Sequence, residues 1–459
     1  GELALDGGFG ARVDLEKVHL KVENMPPWEI WVSESQERMM FTVTPKNVEK
    51  VLGRCKAWDV EAVTIGEVIA EKRNIVNYNG VEILNLDLDF TTGGPVYKRP
   101  YNLPDYNVGE AANLPSYPEN IAEKIIEVIR QPEVASKDWV IRQYDHEVRG
   151  KTVLKPIQGP IGKEVPGDSS VIKPVDNSWK GLALTSDINP YLMEANPYRG
   201  TMSAVEEVCR NLASVGARID SLADCLCFGN PQRPEIMGQF KASCEALRDA
   251  ATSIDVPYVS GNVSLYNETA DGAIPPTPVL MGIGLVDDIR KCVTSDMKKE
   301  GTIWIVGRTK EEMGASLYYR TLGIECKNVP TTDFSSFIPR MEQLIQAIEN
   351  GEVVACHDIS NGGLALTIIE MAMSGTGAEI NLNSDLRDDI ELFSESNGRW
   401  VVQVAPGFES KFEKRFDFAE KIGDVNDKII FNKNGEQIAK LQIDKVRKEW
   451  TNPIWERLA

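Results

Sequence analysis

The chain has 459 residues, of which 42% are hydrophobic and 26% charged, and its formal net charge is −19. This length favours about three domains rather than a single core. The acidic balance argues against a general nucleic-acid binder, and no apolar run reaches the roughly 18–20 residues that span a bilayer. A small phosphorylated substrate is compatible with this charge if magnesium, helix N-termini or backbone N–H groups bind it and offset the repulsion by the net negative charge.

The cysteine pattern indicates reduced thiols in a cytoplasmic protein. No signal peptide is visible, and the closest pair, Cys225-Leu-Cys227, has no second Cys or His pair at zinc spacing. The eight residues are Cys55, Cys209, Cys225, Cys227, Cys244, Cys292, Cys326 and Cys356.

The first elements of the chain recur near its end. "GELALDGGFGARVDL" (1–15) and "IIEMAMSGTGAEINL" (368–382) each predict a helix that ends at glycine, followed by a strand. "SESQERMMFTV" (33–43) returns as "SESNGRWVVQV" (394–404), and "AVTIGEV" (62–68) as "AEKIGDV" (419–425). "NYNGVEILNLDLD" and "NKNGEQIAKLQID" each predict two strands joined by an Asn-Gly turn. Residues 1–89 and roughly 368–444 are therefore predicted to be two copies of one unit.

Between the copies, a stretch with five prolines (95–118) predicts an extended linker, and "ENIAEKIIEVIRQ" a helix. A further domain from about 151 to 290 mixes strands with helices at about 202–215 and 235–254. The second copy is preceded by an apolar strand, "GTIWIVGRT" (301–309), by a helical stretch at about 310–322 and by "VVACHDISNGGLAL". Because the first copy has no such lead-in, we expect the chain to be truncated at its N-terminus or to be one piece of a longer protein.

Two phrases of the middle domain place polar residues where apolar stretches end. In "VPYVSGNVSLYNET" (256–269), Gly261 allows close approach to a phosphate, Asn262 offers a hard oxygen to magnesium, and Ser264 offers a hydroxyl. A plain strand-to-turn junction explains the same residues. In "SLADCLCFGNPQRPE" (221–235), Asp224 ends an apolar stretch, either as a ligand carboxylate or in an Asx-turn or cap.

Three further phrases carry candidate chemistry. In "CHDISNGGLAL" (356–366), Asp358 precedes a glycine-rich helix start that suits an anion bridged by magnesium, with Asn361 as the expected N-cap. "SESQ" places Glu34, Ser35 and Gln36 at the start of an apolar strand, and it is either a binding site or a repeated structural turn. His146, beside Asp145 and Glu147, is more typical of a structural hydrogen-bond partner than of a base.

Five ordered motifs resemble one family along the whole chain. "SESQERM", "ASKDWVIRQYDHEV", "DCLCFGNPQRPE", "SGNVSLYNET" and "HDISNGGLAL" are similar to the synthetase subunit of phosphoribosylformylglycinamidine synthase, of the small PurL type. The resemblance implies an α/β (α+β) fold, a tandem duplication of the unit seen in aminoimidazole ribonucleotide synthetase. Each unit of that fold has a β-rich N-type domain and an α/β C-type domain. Residues 1–94 would be the C-terminal part of the first C-type domain and 95–150 a linker and helix, followed by the second N-type (151–292) and C-type (293–459) domains.

The same resemblance implies ATP-dependent amidation of formylglycinamide ribonucleotide with glutamine-derived ammonia, in purine biosynthesis. ATP and Mg²⁺ would be the cofactors, and a glutaminase subunit and a small bridging subunit the partners. Glu34, Ser35, Gln36 and Ser264 would then contact substrate, and Asp224 and Gly261 would contact ATP. Asn262 would bind magnesium, and Asp358 would belong to an auxiliary nucleotide site in the second copy.

The resemblance leaves the catalytic base unassigned, because the family's first N-type domain, which carries its catalytic histidines, has no counterpart here. A competing interpretation is therefore a non-catalytic fragment that binds nucleotide and docks other subunits. A second is another ATP-dependent synthetase of the superfamily, such as a selenophosphate or thiamine-phosphate enzyme, but those lack the tandem duplication.

Overall fold

The structure is a computed structural model that describes residues 1–94, 96–105, 114–416 and 418–458. Pro95 and residues 106–113 of the predicted linker therefore lie outside the described residues. The chain divides into two compact units, Gly1–Lys98 and Arg99–Ala459. No helix of the described part is long and apolar enough to cross a membrane.

The first unit is built around one four-stranded sheet. Its strands are β1 (Gly10–Asp14), β2 (Gly66–Ile69), β3 (Arg73–Tyr78) and β4 (Val81–Asp87), and its helices are α1 (Glu2–Asp6), α2 (Pro27–Val32), α3 (Val48–Ala57) and α4 (Leu88–Thr92). The strand order is β2-β1-β3-β4, in which β1 and β3 are parallel and the other neighbours antiparallel. Its small core contains Leu15, Ile30 and Val76.

The second unit holds the remaining elements. Its helices are α5 (Ile121–Ile129), α6 (Asp138–Ile141), α7 (Pro190–Ala195), α8 (Pro197–Ser214), α9 (Pro234–Ile254), α10 (Leu317–Thr321), α11 (Phe334–Glu349), α12 (Gly363–Ala372), α13 (Asp388–Phe393), α14 (Glu409–Glu413), α15 (Ile443–Thr451) and α16 (Pro453–Leu458). Its strands are β5 (Thr152–Leu154), β6 (Ile157–Gln158), β7 (Val165–Pro166), β8 (Ser170–Ile172), β9 (Gly181–Asp187), β10 (Arg218–Cys227), β11 (Tyr258–Ser264), β12 (Glu268–Thr269), β13 (Gly272–Ala273), β14 (Thr277–Val286), β15 (Thr302–Val306), β16 (Val353–Asp358), β17 (Gly377–Leu382), β18 (Trp400–Val404), β19 (Ala419–Asn426), β20 (Ile429–Lys433) and β21 (Glu436–Leu441).

A six-stranded sheet of order β11-β10-β14-β9-β8-β5 forms the first layer of this unit. Helices α8 and α9 pack on one of its faces, where Val208 and Leu212 meet Leu222 and Leu280 in a common core. The capping side chain of Asn196 starts α8 by accepting a hydrogen bond from the N–H of Arg199. The opposite face carries half-exposed side chains, such as Met281 and Leu285. Among the described strands, β11 lies at the edge of the sheet and has a strand neighbour, β10, on one side.

A seven-stranded sheet of order β16-β18-β15-β19-β17-β20-β21 forms the second layer and contains the repeated unit. Its last four strands, β19-β17-β20-β21, reproduce the order β2-β1-β3-β4, with one parallel pair in the same place. Even the pairing register repeats, since Gly10 faces Ile69 as Gly377 faces Asn426. The predicted duplication is therefore confirmed by the strand order.

Matching glycines and turns show why the two copies fold alike. A Cβ on Gly66 would collide with the carbonyl oxygen of Arg12, and a Cβ on Gly423 with the carbonyl oxygen of Glu379. Both positions therefore require glycine, because the neighbouring strand lies too close for a side chain. Each Asn-Gly turn has a positive φ at both residues, at 50° and 77° in the first copy and 51° and 84° in the second. That geometry matches the right-handed strand twist of a hairpin, as the sequence predicted.

Two local predictions are wrong. Residues 37–43 were expected to form an apolar strand, but they form none and lie mostly exposed, whereas their counterpart is the buried strand β18. The difference arises because β18 pairs with β15 and β16, whereas the four-stranded sheet in the described part of the first unit has no strands that match those two. The helix expected at about 310–322 is shortened to α10, which begins only after the Ser316 side chain caps it.

Candidate functional site

The edge of the six-stranded sheet carries the first group of predicted site residues. Strands β10 and β11 run parallel, and Asp224 pairs with Gly261. A Cβ on Gly261 would lie only 2.9 Å from Oδ1 of Asp224, so the glycine leaves room for the carboxylate. Asp224 shares its face with the core residues Leu222 and Leu226, and burial raises its pKa. The buried hydroxyl of Tyr258 has no hydrogen-bond partner among the described residues.

The residues next to these point the other way, because successive side chains of a strand alternate between faces. Asn262 pairs with Cys225, and its Nδ2 lies 3.5 Å from the Cys225 sulfur. Ser264 pairs with Cys227 on that same open face and is tied to the amide of Asn267. The resemblance implies that Asp224, Gly261, Asn262 and Ser264 serve one nucleotide and substrate site, but their side chains do not converge on one face of the sheet. The register places Asp224 on the helix-covered face and Asn262 on the open face.

A buried acidic cluster surrounds Arg210 of helix α8. Its guanidinium donates to Glu206, to Oδ2 of Asp358 at 3.0 Å, and lies 3.2 Å from Glu207. Asp187, at the end of β9, adds a fourth carboxylate to the same electrostatic environment. One oxygen each of Asp187 and Glu206 is buried without a hydrogen-bond partner among the described residues.

Four carboxylates facing one guanidinium leave excess negative charge in a dry environment. Burial, and then the charge of Asp358, raises the pKa of Asp187 to about 7. Burial, and then the charge of Asp187, likewise raises the pKa of Glu207. Carboxylates that resist ionisation together and keep unpaired oxygens are suited to a hard divalent cation such as Mg²⁺. The cluster therefore has the excess negative charge and the unpaired oxygens that a divalent cation would neutralise.

His357 links this cluster to two more carboxylates. Its Nδ1 lies 2.5 Å from Asp168 and its Nε2 lies 3.1 Å from Glu370. Burial opposes protonation of the imidazole, but the two carboxylates outweigh it and raise the pKa of His357 well above its ordinary value. Ligand atoms of Asp168, His357 and Asp358 lie within 4.8 Å of one another. Because both imidazole nitrogens donate to carboxylates, His357 acts as a buried cation that orients Asp168 rather than as a metal ligand.

A basic cavity of about 210 Å³ borders the acidic cluster at Glu206. Arg308, Lys310 and Arg340 line it, together with the hydroxyls of Thr331, Thr332 and Ser336 and the side chain of Asn397. Three cations, which outnumber the carboxylates of Glu206 and Asp333 in the same lining, suit the oxygens of a phosphate group. The cavity and the cluster thus place phosphate-binding and cation-binding chemistry side by side.

The second "SES" phrase is a structural turn. The hydroxyls of Ser394 and Ser396 both donate to the carbonyl of Lys310, at 2.7 and 3.1 Å. The carboxylate of Glu395 accepts from the N–H of Gly362 at 2.7 Å and of Leu317 at 2.8 Å.

The predicted anion site at the start of α12 is therefore filled by the chain's own Glu395. The expected N-cap is also wrong, since Gly362, with φ 79°, occupies the cap position. Asn361 instead accepts a hydrogen bond from Asn189. Asp358, just ahead of this turn, is buried in the acidic cluster.

The first "SES" phrase differs in its surroundings. Glu34 and Gln36 are exposed in the first unit, and Ser35 is half-buried. Their counterparts, Glu395 and Asn397, are held by other residues, and the Asn397 amide donates to Ser203 and Thr332 at 2.8 and 2.9 Å. The ring of His146 makes a local contact of 3.2 Å with the carbonyl of Tyr144.

Sequence reasoning missed most of the acidic cluster. Asp187, Glu206, Glu207 and Arg210 belong to "LTSDI" and "SAVEEVCRN", which we interpreted only as a strand and an amphipathic helix. A usable signal was present in the sequence, because Glu206, Glu207 and Arg210 lie among small and apolar residues of the predicted helix, and charged residues buried in such a helix need partners.

Comparison with known proteins decides the family. The sequence model of the family described as AIR synthase related protein, C-terminal domain, matches residues 1–79 and 327–431. The family model described as AIR synthase related protein, N-terminal domain, matches residues 166–286. The chain belongs to the AIR synthase related family. The two C-terminal-domain matches fall on the two copies of the repeat, which confirms the fold class expected from the sequence.

Within the AIR synthase related family, the chain is similar to PurL subunits of phosphoribosylformylglycinamidine synthase. It is 36% identical to that of Thermoplasma acidophilum over 99% of this chain and 60% of the relative. It is 38% identical to that of Thermococcus sibiricus over 97% of this chain and 61% of the relative. The chain therefore spans about 60% of the length of these curated relatives.

Solved PurL structures from Thermotoga maritima share this AIR-synthase-related fold. The complex with ATP has a TM-score of 0.64 at 22% identity, covering 93% of this chain and 61% of that one. The complex with FGAR has a TM-score of 0.63 at 22% identity, covering 93% and 59%. The structure of PurLQS has a TM-score of 0.64 at 23% identity, covering 92% and 60%.

Proposed function

We propose that this chain carries part of the synthetase of phosphoribosylformylglycinamidine synthase. The reaction is ATP-dependent amidation of formylglycinamide ribonucleotide with glutamine-derived ammonia, a step of purine biosynthesis. The observation that carries the proposal is the similarity to PurL subunits along 97–99% of the chain, combined with the duplicated unit. The bound ATP and FGAR of the Thermotoga proteins support the choice of ligands.

The edge strand β11 is the proposed ATP site. Asp224 and Gly261 lie on one face of the sheet and Asn262 on the other, so the proposed ATP molecule crosses the edge of β11, with its base or sugar on the Asp224 side and its phosphates on the Asn262 side. Asp224 then accepts a hydrogen bond from the base or sugar, Gly261 admits the ligand to the backbone, and the Asn262 oxygen coordinates Mg²⁺. Ser264 lies on the Asn262 side, where it contacts the substrate.

Exposed Glu34, Ser35 and Gln36 are the proposed substrate contacts of the first unit, and they supply acceptors and donors for an amide and a ribose. In the proposed reaction the oxygen of the glycinamide carbonyl attacks the γ-phosphate and ADP leaves, after which ammonia displaces phosphate from the iminophosphate and loses a proton, while the formyl group is unchanged. Phosphoryl transfer of this kind depends on positioning and on charge neutralisation by magnesium. We assign no general base within this chain.

The acidic cluster and its neighbouring cavity are the proposed auxiliary nucleotide site. Asp358, Asp187 and Glu207 are the carboxylates that would hold a magnesium ion there, and the ion would neutralise part of their charge beside the basic cavity. Glu206 belongs to both the acidic cluster and the lining of the basic cavity. Side chains around this site, such as Asn397, are held by hydrogen bonds within the protein. A site held in this way suits a nucleotide that stabilises the fold rather than one that is hydrolysed and released.

The proposed partners are a glutaminase subunit, which supplies ammonia, and a small bridging subunit, as the PurLQS assembly of the Thermotoga protein suggests. We place this enzyme in the cytoplasm. We further propose the domain division 1–94, 95–150, 151–292 and 293–459, with PurM-like C-type, linker, N-type and C-type character in turn. The middle N-type range encloses the matched residues 166–286.

The proposal is tested by titrating the chain with Mg-ATP and with formylglycinamide ribonucleotide in a calorimeter, and by following ADP release when ammonium is added. Asp224→Asn is expected to weaken ATP binding, whereas Asp220→Asn, an exposed carboxylate on the same strand β10, leaves it unchanged. Binding without ADP release favours the non-catalytic, subunit-docking alternative. The proposal is overturned if neither Mg-ATP nor formylglycinamide ribonucleotide binds.

A further inference from the structure

Two thiols lie side by side on the open face of the six-stranded sheet. Cys225 and Cys227 are two residues apart on strand β10, so both side chains point to the same face, where they are half-buried. Their sulfur atoms are 3.8 Å apart. The side-chain amide of Asn262, on the neighbouring strand, lies 3.5 Å from the Cys225 sulfur. Three potential ligand groups thus converge at one edge of the sheet.

The distance between the sulfurs decides which chemistry this pair supports. Two thiolates bound at about 2.3 Å to one tetrahedral cation lie about 3.8 Å apart, which the pair satisfies without moving. A disulfide would require the sulfurs to approach to about 2.05 Å. Residues two apart on a strand also have Cα atoms about 6.4–6.8 Å apart, at the upper limit for a disulfide. The geometry therefore favours a bridging cation over oxidation.

We propose that Cys225 and Cys227 form a site for a thiophilic divalent cation such as Zn²⁺. On binding, each thiol releases one proton to solvent and each thiolate donates an electron pair to the metal. A half-turn of the Asn262 amide places its oxygen where the nitrogen now lies, which supplies a third ligand. Water fills the fourth position.

The position of this site has a consequence for the nucleotide. The register pairs Cys225 with Asn262 and Cys227 with Ser264, so a cation on the thiols takes the same amide that the proposed magnesium site uses. Zinc on the thiols and Mg-ATP on β11 then exclude each other. This exclusion rests on the proposed ATP site, whereas the binding of the cation does not.

The test of the cation site uses Cd²⁺, whose bonds to thiolate absorb in the near ultraviolet, and Zn²⁺ competed against a chromophoric chelator. The wild-type chain is expected to show one equivalent with a thiolate–metal band. Cys225→Ser and Cys227→Ser each weaken Zn²⁺ binding at least about tenfold and reduce the band. Cys244→Ser, a thiol on helix α9, is the control and leaves both unchanged. A wild-type chain without the band, or a band unchanged in either single variant, overturns the proposal.

A second titration separates the two proposals. Asn262→Ala is expected to weaken Zn²⁺ binding while keeping the thiolate band, and saturating Mg-ATP is expected to displace Zn²⁺ from the wild type. If Zn²⁺ binds through both cysteines but Mg-ATP does not displace it, the cation site stands and the shared role of Asn262 is wrong.

Discussion

The buried carboxylate of Glu395 predicts a measurable pH dependence of stability. Burial raises the pKa of Glu395 to about 7 from an ordinary value of 4.5, although the N–H groups of Gly362 and Leu317 donate to it. A carboxyl whose pKa is raised in the folded state binds its proton more tightly there than in the unfolded chain. Its contribution to the free energy of unfolding is therefore present at low pH and is lost as the pH rises through 7.

The size of the effect follows from the two pKa values. Between about pH 8 and about pH 5.5, this one group adds about 2 kcal/mol to the free energy of unfolding. Glu395→Gln keeps an oxygen that accepts both N–H groups but carries no titratable proton. The variant is therefore expected to lose about 2 kcal/mol of the stability that the wild type gains over this pH interval.

The assay is urea denaturation of both proteins at the two pH values, followed by circular dichroism. The quantity to compare is the pH-induced change in unfolding free energy, because other groups titrate in both proteins. Glu34→Gln, at the matching position of the first copy, is exposed and serves as the control with wild-type behaviour. An identical pH response in the wild type and in Glu395→Gln would refute the reasoning.

Three further outcomes are expected. Asp187→Asn relieves repulsion in the acidic cluster, so it raises the unfolding free energy near pH 8 without Mg²⁺ by roughly 1–3 kcal/mol and abolishes stabilisation by added MgCl₂; a thermal shift on MgCl₂ addition equal to that of the wild type would contradict this. Gly66→Ala brings a Cβ against the Arg12 carbonyl and costs roughly 1–3 kcal/mol, whereas Gly53→Ala, with open space on helix α3, stabilises by about 0.5–1 kcal/mol. Equal denaturation midpoints for these two variants would show that the close contact between β2 and β1 at Gly66 tolerates a side chain. Gln36→Ala weakens binding of formylglycinamide ribonucleotide by on the order of 1 kcal/mol in calorimetric titration of the assembled enzyme, while Asn397→Ala changes only thermal stability; unchanged affinity of Gln36→Ala would leave the first "SESQ" as a turn.

Local features of the fold were predictable because they depend on residues close together in the chain. The Asn-Gly turns demand positive φ at two adjacent residues, and the apolar spacing of 202–215 predicts a helix that packs in a core. The repeat was also visible in the sequence, because each copy needs a glycine where a neighbouring strand approaches closely, as at Gly66 and Gly423. Alternation along β11 even implied that Gly261 and Asn262 face opposite ways, although we had grouped them together.

The sequence by itself determined the duplication, the family resemblance and the candidate residues, because these are encoded in order and spacing. Only the tertiary structure decided which of those residues meet. The register of β10 against β11 puts Asp224 with Gly261 and Asn262 with Cys225, and no pattern within either strand specifies the offset between them. Asp187, Arg210 and Asp358 come from a strand, a helix and a second sheet, yet they share one buried cluster. Their perturbed ionisation arises from loss of water and from mutual charge, and both exist only after the distant segments have packed together.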